Sequence, residues 1–132
     1  DLPTSSSKKI GRKINYQDRD VAKCRQGDII EINFHFPDVG FKPHFAIVVV
    51  SNDELQEIEG YIYVVLISSK QLNPEYSYTL TKEMTSYNFD KQSYVKCQIL
   101  ELSTSRDIIK RVGSIKRTYL LEIQQKIIQS IF

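Results

Sequence analysis

The fold is indicated first by residues 27–36, which read GDIIEINFHF. Apolar residues at every second position from Ile30 to Phe36 alternate with polar ones, which is the period of a strand with one buried face. The next stretch, residues 37–43, contains two prolines and a glycine, which favour the backbone angles of an ordered loop. We therefore predict a first strand from Asp28, then a loop that leads into a second strand.

Four further stretches have the composition of strands. Residues 45–50 and 61–67 are rich in β-branched and aromatic side chains, which is typical of buried central strands, and the polar residues 51–60 suit a connecting loop. Residues 76–80 and 94–102 supply two more candidates. The sequence therefore predicts five strands.

The carboxyl-terminal part has a helical pattern. Ser105 is suited to cap a short helix over residues 107–112, and Gly113 offers a left-handed stop. In residues 118–132 the apolar side chains recur at helical spacing: Leu120, Ile123, Ile127, Ile128 and Ile131. Strands followed by helices indicate a mainly β protein with C-terminal helices, built as a strongly bent antiparallel sheet or partly open barrel.

Composition narrows the class of protein. The 132 residues are 41% hydrophobic and 26% charged, which is ordinary for one soluble globular domain. The longest strongly apolar run, residues 45–50, is too short to span a bilayer, and no signal-peptide pattern is present, so we expect a cytoplasmic protein. Cys24 and Cys97 lack metal-ligand spacing and are expected to be reduced thiols.

Charge is unevenly distributed along the chain. Residues 1–27 carry seven Lys/Arg against three Asp, whereas residues 28–132 carry eleven Lys/Arg against thirteen Asp/Glu. We interpret residues 1–26 as a flexible basic leader and residues 27–132 as the folded domain. Such a leader either attracts RNA through counterion release or only aids solubility, and the sequence leaves both readings open.

Several short motifs occur in one consistent order. They are Gly27-Asp28-Ile29, Lys42-Pro43-His44, Ser51-Asn52-Asp53, Ser68-Ser69, Val95-Lys96-Cys97 and Gly113-Ser114-Ile115-Lys116. In this order the chain resembles the MazF/PemK-like toxins of type II toxin–antitoxin systems, and their PemK-like branch in particular. The resemblance covers about residues 26–132.

This resemblance implies a fold and a function. The fold would be an SH3-like, partly open barrel of the MazF/PemK/CcdB type, usually a two-fold homodimer whose interface helps to form an RNA groove. The function would be cleavage of single-stranded RNA, including mRNA, by attack of its own 2′-hydroxyl, which leaves a 2′,3′-cyclic phosphate. Neither a metal nor another cofactor is implied. A cognate antitoxin, commonly with an acidic flexible tail, would cover the groove.

The family's catalytic pair falls on a late strand. Family members have an arginine and an acidic residue two positions apart, and the matching residues here are Lys96 and Gln98. Lys96 keeps the positive charge for phosphate stabilisation, although it lacks the planar fork of arginine. Gln98 is the main departure from the family, because an amide cannot act as a base near neutral pH.

Other residues are candidates for the remaining roles. His44 lies in the predicted loop where many relatives carry arginine, and a histidine suits proton transfer near neutral pH, although a backbone-bonded loop histidine is an equal alternative. Ser68 matches a family threonine and would position the phosphate, with a plain turn residue as the alternative. Lys42 and Ser69 are assigned to RNA binding, and Lys42 is read equally well as a solubilising surface residue.

Two hypotheses follow from these residues. In the first, the protein is an active endoribonuclease in which His44 carries the proton, Lys96 stabilises the phosphate, and Ser68 and Gln98 position it. In the second, it is a catalytically degenerate barrel that binds RNA or an antitoxin peptide without cleavage, because the carboxylate is missing at Gln98.

Overall fold

The computed structural model describes residues 24–50, 59–71 and 73–132. These residues form six strands, followed by one long helix, α1 (Arg117–Ile131). The strands are β1 (Asp28–Phe36), β2 (Gly40–Val50), β3 (Tyr61–Ser68), β4 (Ser77–Leu80), β5 (Ser93–Thr104) and β6 (Ile108–Ser114). The basic leader predicted for residues 1–26 falls almost wholly outside the described residues, as does most of the loop predicted for residues 51–60.

All six strands belong to a single antiparallel sheet. Their order is β4-β5-β3-β2-β1-β6, so the outer edges of the sheet are β4 and β6 and the sheet is not closed. The two ends nevertheless approach each other, because Thr85, beyond β4, forms a bridge with Ile115, just after β6. The predicted class, a mainly β, partly open antiparallel barrel with a C-terminal helix, is confirmed.

Two apolar clusters hold the sheet, one on each face. We call the cluster beneath α1 the helix-side core; it contains Ile29, Ile47, Val49, Val65, Ile67, Leu80, Val95, Cys97, Ile115, Leu120, Ile123 and Ile127. The second core lies on the other face and contains Cys24, Ile30, Ile32, Ala46, Val48, Ile62, Val64, Leu66 and Ile108. Neighbouring residues of one strand enter different cores because side chains alternate along a strand.

The predicted final helix is confirmed, and it seals the helix-side core. Leu120, Ile123 and Ile127 are buried against the sheet. Full burial of such side chains stabilises a fold by roughly 1.5–3 kcal/mol each. The Gln124 amide also donates a hydrogen bond of 2.7 Å to the carbonyl oxygen of Val49, which fixes α1 to the end of β2.

The loop predicted for residues 37–43 is shorter than expected. β2 begins at Gly40, which faces Phe36 across a tight hairpin and has a positive φ of 82°. Proline usually interrupts a strand because it has no backbone N–H. The pairing of β2 with β3 begins only at Ala46, after Pro43, so the missing N–H removes no hydrogen bond between β2 and β3. Lys42 and His44 therefore lie on a strand and not on a loop.

The short helix predicted for residues 107–112 is wrong. This segment is strand β6, which pairs with β1 from Asp28 to Ile32, and β-branched Ile108, Ile109 and Val112 suit an extended chain. Pairing with the open edge of β1 outweighs the local helical pattern. Gly113 is not a helix stop; it allows close approach of another segment, since a Cβ there would lie 2.8 Å from the Ser86 hydroxyl.

Candidate functional site

The predicted site residues on β2 lie on the face opposite α1. Ala46 and Val48 belong to the second core, whereas Ile47 and Val49 belong to the helix-side core. Lys42 and His44 are in the same alternating set as Ala46, so they extend the face of the second core towards the hairpin.

The same alternation places the β3 and β5 residues on that face. Ser68 follows Leu66, a member of the second core, by two residues. On β5, Lys96 alternates with Val95 and Cys97, which enter the helix-side core; the alternation is broken after Cys97, because Ile99 packs against the second core. Since β5, β3 and β2 are consecutive in the sheet, His44, Ser68 and Lys96 share one face of three neighbouring strands. We call this surface the candidate site.

Register brings these residues to the same end of the sheet. Ala46 pairs with Leu66, so His44 and Ser68 each lie two residues beyond that pair in the same direction. On the other side of β3, Ser68 pairs directly with Tyr94 of β5. Directly opposed residues of antiparallel strands have Cβ atoms about 4.5–5.5 Å apart. A row across the sheet therefore runs from His44 through Ser68 to Tyr94. Lys96 lies on the same face, two residues further along β5.

His44 is held by a local hydrogen bond. Its Nδ1 lies 3.0 Å from the carbonyl oxygen of Phe45, and because a carbonyl only accepts, Nδ1 carries the hydrogen. In the neutral ring this leaves the lone pair on Nε2, the atom that can accept a proton. The imidazole is half-buried beside the rings of Phe34 and Phe36, with centroid distances of 6.5 and 5.5 Å.

The two lysines of the site have no carboxylate partner among the described residues. Lys42 is exposed, and its ammonium lies 5.0 Å from the centroid of the Phe36 ring, a cation–π contact. Lys96 is half-buried on β5 and pairs with Ser77 of β4. Both ammonium groups are therefore available to an anion that approaches this face.

Gln98 lies in a sharp irregularity of β5. The β3 pairing shifts between Val65 and Ile67, so that Leu66 alone faces residues 96–99 of β5. The extra residues bend the strand, as β-bulges do. Within the described part of the chain, the Oε1 of Gln98 is buried and accepts no hydrogen bond. A buried acceptor without a donor is costly to the fold.

Ser68 and Ser69 end strand β3. The half-buried Ser68 hydroxyl oxygen accepts a hydrogen bond of 3.1 Å from the Lys70 N–H, which fits the reading as a strand-end turn residue. Its own O–H hydrogen has no acceptor among the described side chains and carbonyls, so it remains able to donate. Ser69 is exposed.

Tyr94, which the sequence alone does not single out, is paired with Ser68 in the sheet. Alternation with Lys96 puts both residues on one face once residues 94–102 are taken as a strand. The pairing with Ser68 depends on the register between β3 and β5, for which the sequence has no signal.

Neither metal chemistry nor thiol chemistry is indicated in the described ranges. No group of three or more His, Cys, Asp or Glu side chains there could hold a metal ion. Cys24 and Cys97 are buried and not joined in a disulfide. Burial raises the pKa of each thiol to about 11, so neither supplies a thiolate nucleophile near neutral pH.

No helix in the described ranges has the length and hydrophobicity needed to cross a membrane.

The fold is that of the MazF-type toxins. An endoribonuclease from a mycobacterial species, solved with its cognate antitoxin, matches at a TM-score of 0.61 and 12% identity over 80% of this chain and 91% of that chain. A MazE–MazF complex from Deinococcus radiodurans matches at 0.63 and 15% over 81% and 96%. The Mycobacterium tuberculosis toxin MazF-mt6 matches at 0.57 and 10% over 79% and 91%. These likenesses show the shared fold.

The family is shown by the sequence itself. Residues 25–131 match the family described as PemK-like, MazF-like toxin of type II toxin–antitoxin system, and the chain therefore belongs to it. The predicted resemblance is confirmed. No curated protein matches the chain at the level of sequence.

Proposed function

We propose that this protein is a toxin of a type II toxin–antitoxin system and a metal-independent endoribonuclease that cuts single-stranded RNA, including mRNA. One observation carries the proposal: His44, Ser68 and Lys96, far apart in sequence, fall on one face of three neighbouring strands in a member of this toxin family. Two structural relatives, both endoribonucleases from mycobacterial species, support the same reaction class.

The reaction needs a base for the 2′-hydroxyl, a cation for the phosphate and an acid for the leaving oxygen. His44 is the base, because its Nδ1 is occupied by the Phe45 carbonyl and its Nε2 is left to accept the proton. Lys96 stabilises the negative charge on the phosphate, and Ser68 donates its hydroxyl hydrogen to a phosphate oxygen. The product is a 2′,3′-cyclic phosphate.

Gln98 has a positioning role in this scheme. Its Oε1 is buried, but the residue as a whole is half-buried and lies on the strand that carries Lys96, so its amide N–H groups can donate to a phosphate oxygen. An amide accepts no proton near neutral pH, and so the proton passes to His44. Lys42, exposed on this face, and Ser69, exposed at the end of β3, contact the RNA backbone outside the scissile bond.

The proposal includes partners. A cognate antitoxin covers the site; the mycobacterial endoribonuclease solved with its cognate antitoxin and the MazE–MazF complex support this partner. The working unit is a homodimer, as the family resemblance implies. The protein acts in the cytoplasm, where its mRNA substrate is found.

A cleavage assay in excess chelator tests the proposal. Purified protein should cut an unstructured RNA and leave termini that resist phosphatase until acid opens the cyclic phosphate. His44→Ala should lower the cleavage rate by ~100-fold or more, since a positioned acid or base contributes roughly 10²–10⁴-fold. His35→Ala is the matched control, because His35 is exposed and alternates to the other face of the same hairpin. Unchanged cutting by His44→Ala would remove His44 from the mechanism.

A second function is favoured by one specific feature, the uncharged amide at Gln98 in place of an acidic residue. In this alternative the barrel binds RNA or an antitoxin peptide and does not cut. Tight binding with no cleavage across diverse RNA sequences would support it, particularly if Gln98→Asp then restored cutting. Metal-free turnover by the unaltered protein would exclude it.

A further inference from the structure

Tyr94 occupies a position in the candidate site that neither the family motif nor the sequence assigns to chemistry. It pairs directly with Ser68 on one side and with Thr79 of β4 on the other. Its neighbour Val95 enters the helix-side core, so Tyr94 faces the opposite way, onto the same face as Lys96. The side chain is half-buried.

The phenol of Tyr94 makes no polar or aromatic contact within the described chain that would give it a role in holding the fold together. Among the described residues its hydroxyl makes no hydrogen bond and its ring makes no aromatic contact. Tyr78 on the adjacent strand is different, since its hydroxyl donates to Glu122 of α1 and thereby links β4 to the helix. The Tyr94 phenol, unbonded within the described chain and paired opposite Ser68 at the backbone, is therefore available to hydrogen-bond a ligand.

The chemistry of RNA cleavage requires groups on opposite sides of the phosphorus. The attacking 2′-oxygen and the leaving 5′-oxygen lie roughly in line, so the base and the acid must flank the phosphate. A phosphate held by Ser68 on β3 has β2 on one side and β5 on the other. Paired neighbouring strands are ~4.8 Å apart, so β2 and β5 are about 10 Å apart where both are paired with β3, and a phosphate at Ser68 would lie between them.

We propose that Tyr94 is the general acid of the reaction, with its phenol directed at the 5′-oxygen of the leaving nucleotide. This inference rests on the proposed function. A phenol holds its proton at neutral pH and can release it to a developing alkoxide. Lys96 lies one step along β5 and serves the phosphate oxygens.

The cleavage step transfers two protons and exchanges one bond to phosphorus for another. The 2′-hydroxyl loses its proton to Nε2 of His44 and its oxygen forms a bond to phosphorus, while the bond from phosphorus to the 5′-oxygen breaks and that oxygen takes the phenolic proton. The products are a 2′,3′-cyclic phosphate and a 5′-hydroxyl. The imidazolium and the phenolate then return to their starting forms through solvent.

The experiment compares two substrates with the same protein. One is a normal RNA, and the other carries sulfur in place of the 5′-oxygen at the cleaved bond, where the thiolate leaves without protonation. Tyr94→Phe, which removes only the hydroxyl, should slow turnover of the normal RNA by ~100-fold with little change in KM. On the sulfur-containing RNA its rate should fall by less than about threefold, because no acid is needed there.

Two further variants control this test. Lys96→Gln should be slow on both substrates, because phosphate stabilisation is needed whichever atom leaves. Tyr63→Phe should behave like the unaltered protein, since Tyr63 is 39% exposed and shares the helix-side face of β3 with Val65. Melting temperatures of all variants separate catalytic loss from unfolding.

The outcomes are distinguishable. If the unaltered protein cuts RNA but Tyr94→Phe is equally active, or is equally impaired on both substrates, Tyr94 is not the acid while the proposed function stands. If the unaltered protein cuts neither substrate, the proposed function fails and this inference fails with it.

Discussion

Removing the buried polar atom of Gln98 should stabilise the protein. Its Oε1 is buried and accepts no hydrogen bond within the described ranges, and such an unpaired group costs roughly 1–3 kcal/mol. Gln98→Leu replaces the amide with an apolar group of similar size in a site next to Ile99, which packs against the second core. We expect a gain of about 1–2 kcal/mol in the free energy of unfolding.

The gain in the free energy of unfolding is measurable by urea denaturation at constant m-value. The melting temperature should also rise by roughly 4 °C per kcal/mol for a domain of this size. Gln129→Leu is the control, because Gln129 is exposed on α1 and has no unpaired buried atom to remove. The same Gln98→Leu variant should bind single-stranded RNA more weakly, since the amide N–H groups proposed to contact the phosphate are gone.

One result would refute this reasoning. If Gln98→Leu is less stable than the unaltered protein while Gln129→Leu is unchanged, the Gln98 amide already has a partner in the free protein. Greater stability together with unchanged RNA affinity would keep the energetic account and remove Gln98 from the site.

Two further predictions concern the fold. Gly113→Ala would place a Cβ 2.8 Å from the Ser86 hydroxyl and 3.0 Å from the Tyr87 Cβ, so we expect a loss of about 1–3 kcal/mol in urea denaturation. A loss below ~0.5 kcal/mol would show that the Ser86 segment yields easily. Burial raises the pKa of Cys24 and Cys97 to about 11, so the unfolded thiols ionise first and the free energy of unfolding should fall as pH rises from ~8.5 towards about 11. Replacing both cysteines with alanine should reduce that slope, and an identical slope would contradict the raised pKa values.

Elements with a sustained pattern were predicted well from the sequence. The alternation from Ile30 to Phe36 and the helical spacing of Leu120, Ile123 and Ile127 both correspond to the structure, because each pattern matches the period of the element it forms. The short segment at residues 107–112 was predicted wrongly. Six residues with a cap and a glycine carry little helical preference, and the unpaired edge of β1 offers hydrogen bonds that a short helix cannot match.

The candidate site was also predicted only in part from the sequence. Ordered motifs in the sequence indicated the toxin family and, through it, His44, Ser68, Lys96 and Gln98 as residues to consider. The sequence does not contain the β3–β5 register that pairs Ser68 with Tyr94, nor the irregularity of β5 in which Gln98 lies with its Oε1 buried. Both depend on contacts between segments more than 20 residues apart.

By itself, the sequence determined which residues are apolar on one face of each element, and hence that a sheet and a terminal helix would share a core. The tertiary structure alone decided that β6 completes the sheet beside β1, and that β2, β3 and β5 lie side by side with their polar residues in one row. The physical reason is the distance in sequence between the residues that interact. A periodic pattern reports the burial of neighbouring residues within one element, whereas strand order and register are fixed by backbone hydrogen bonds and packing between distant parts of the chain.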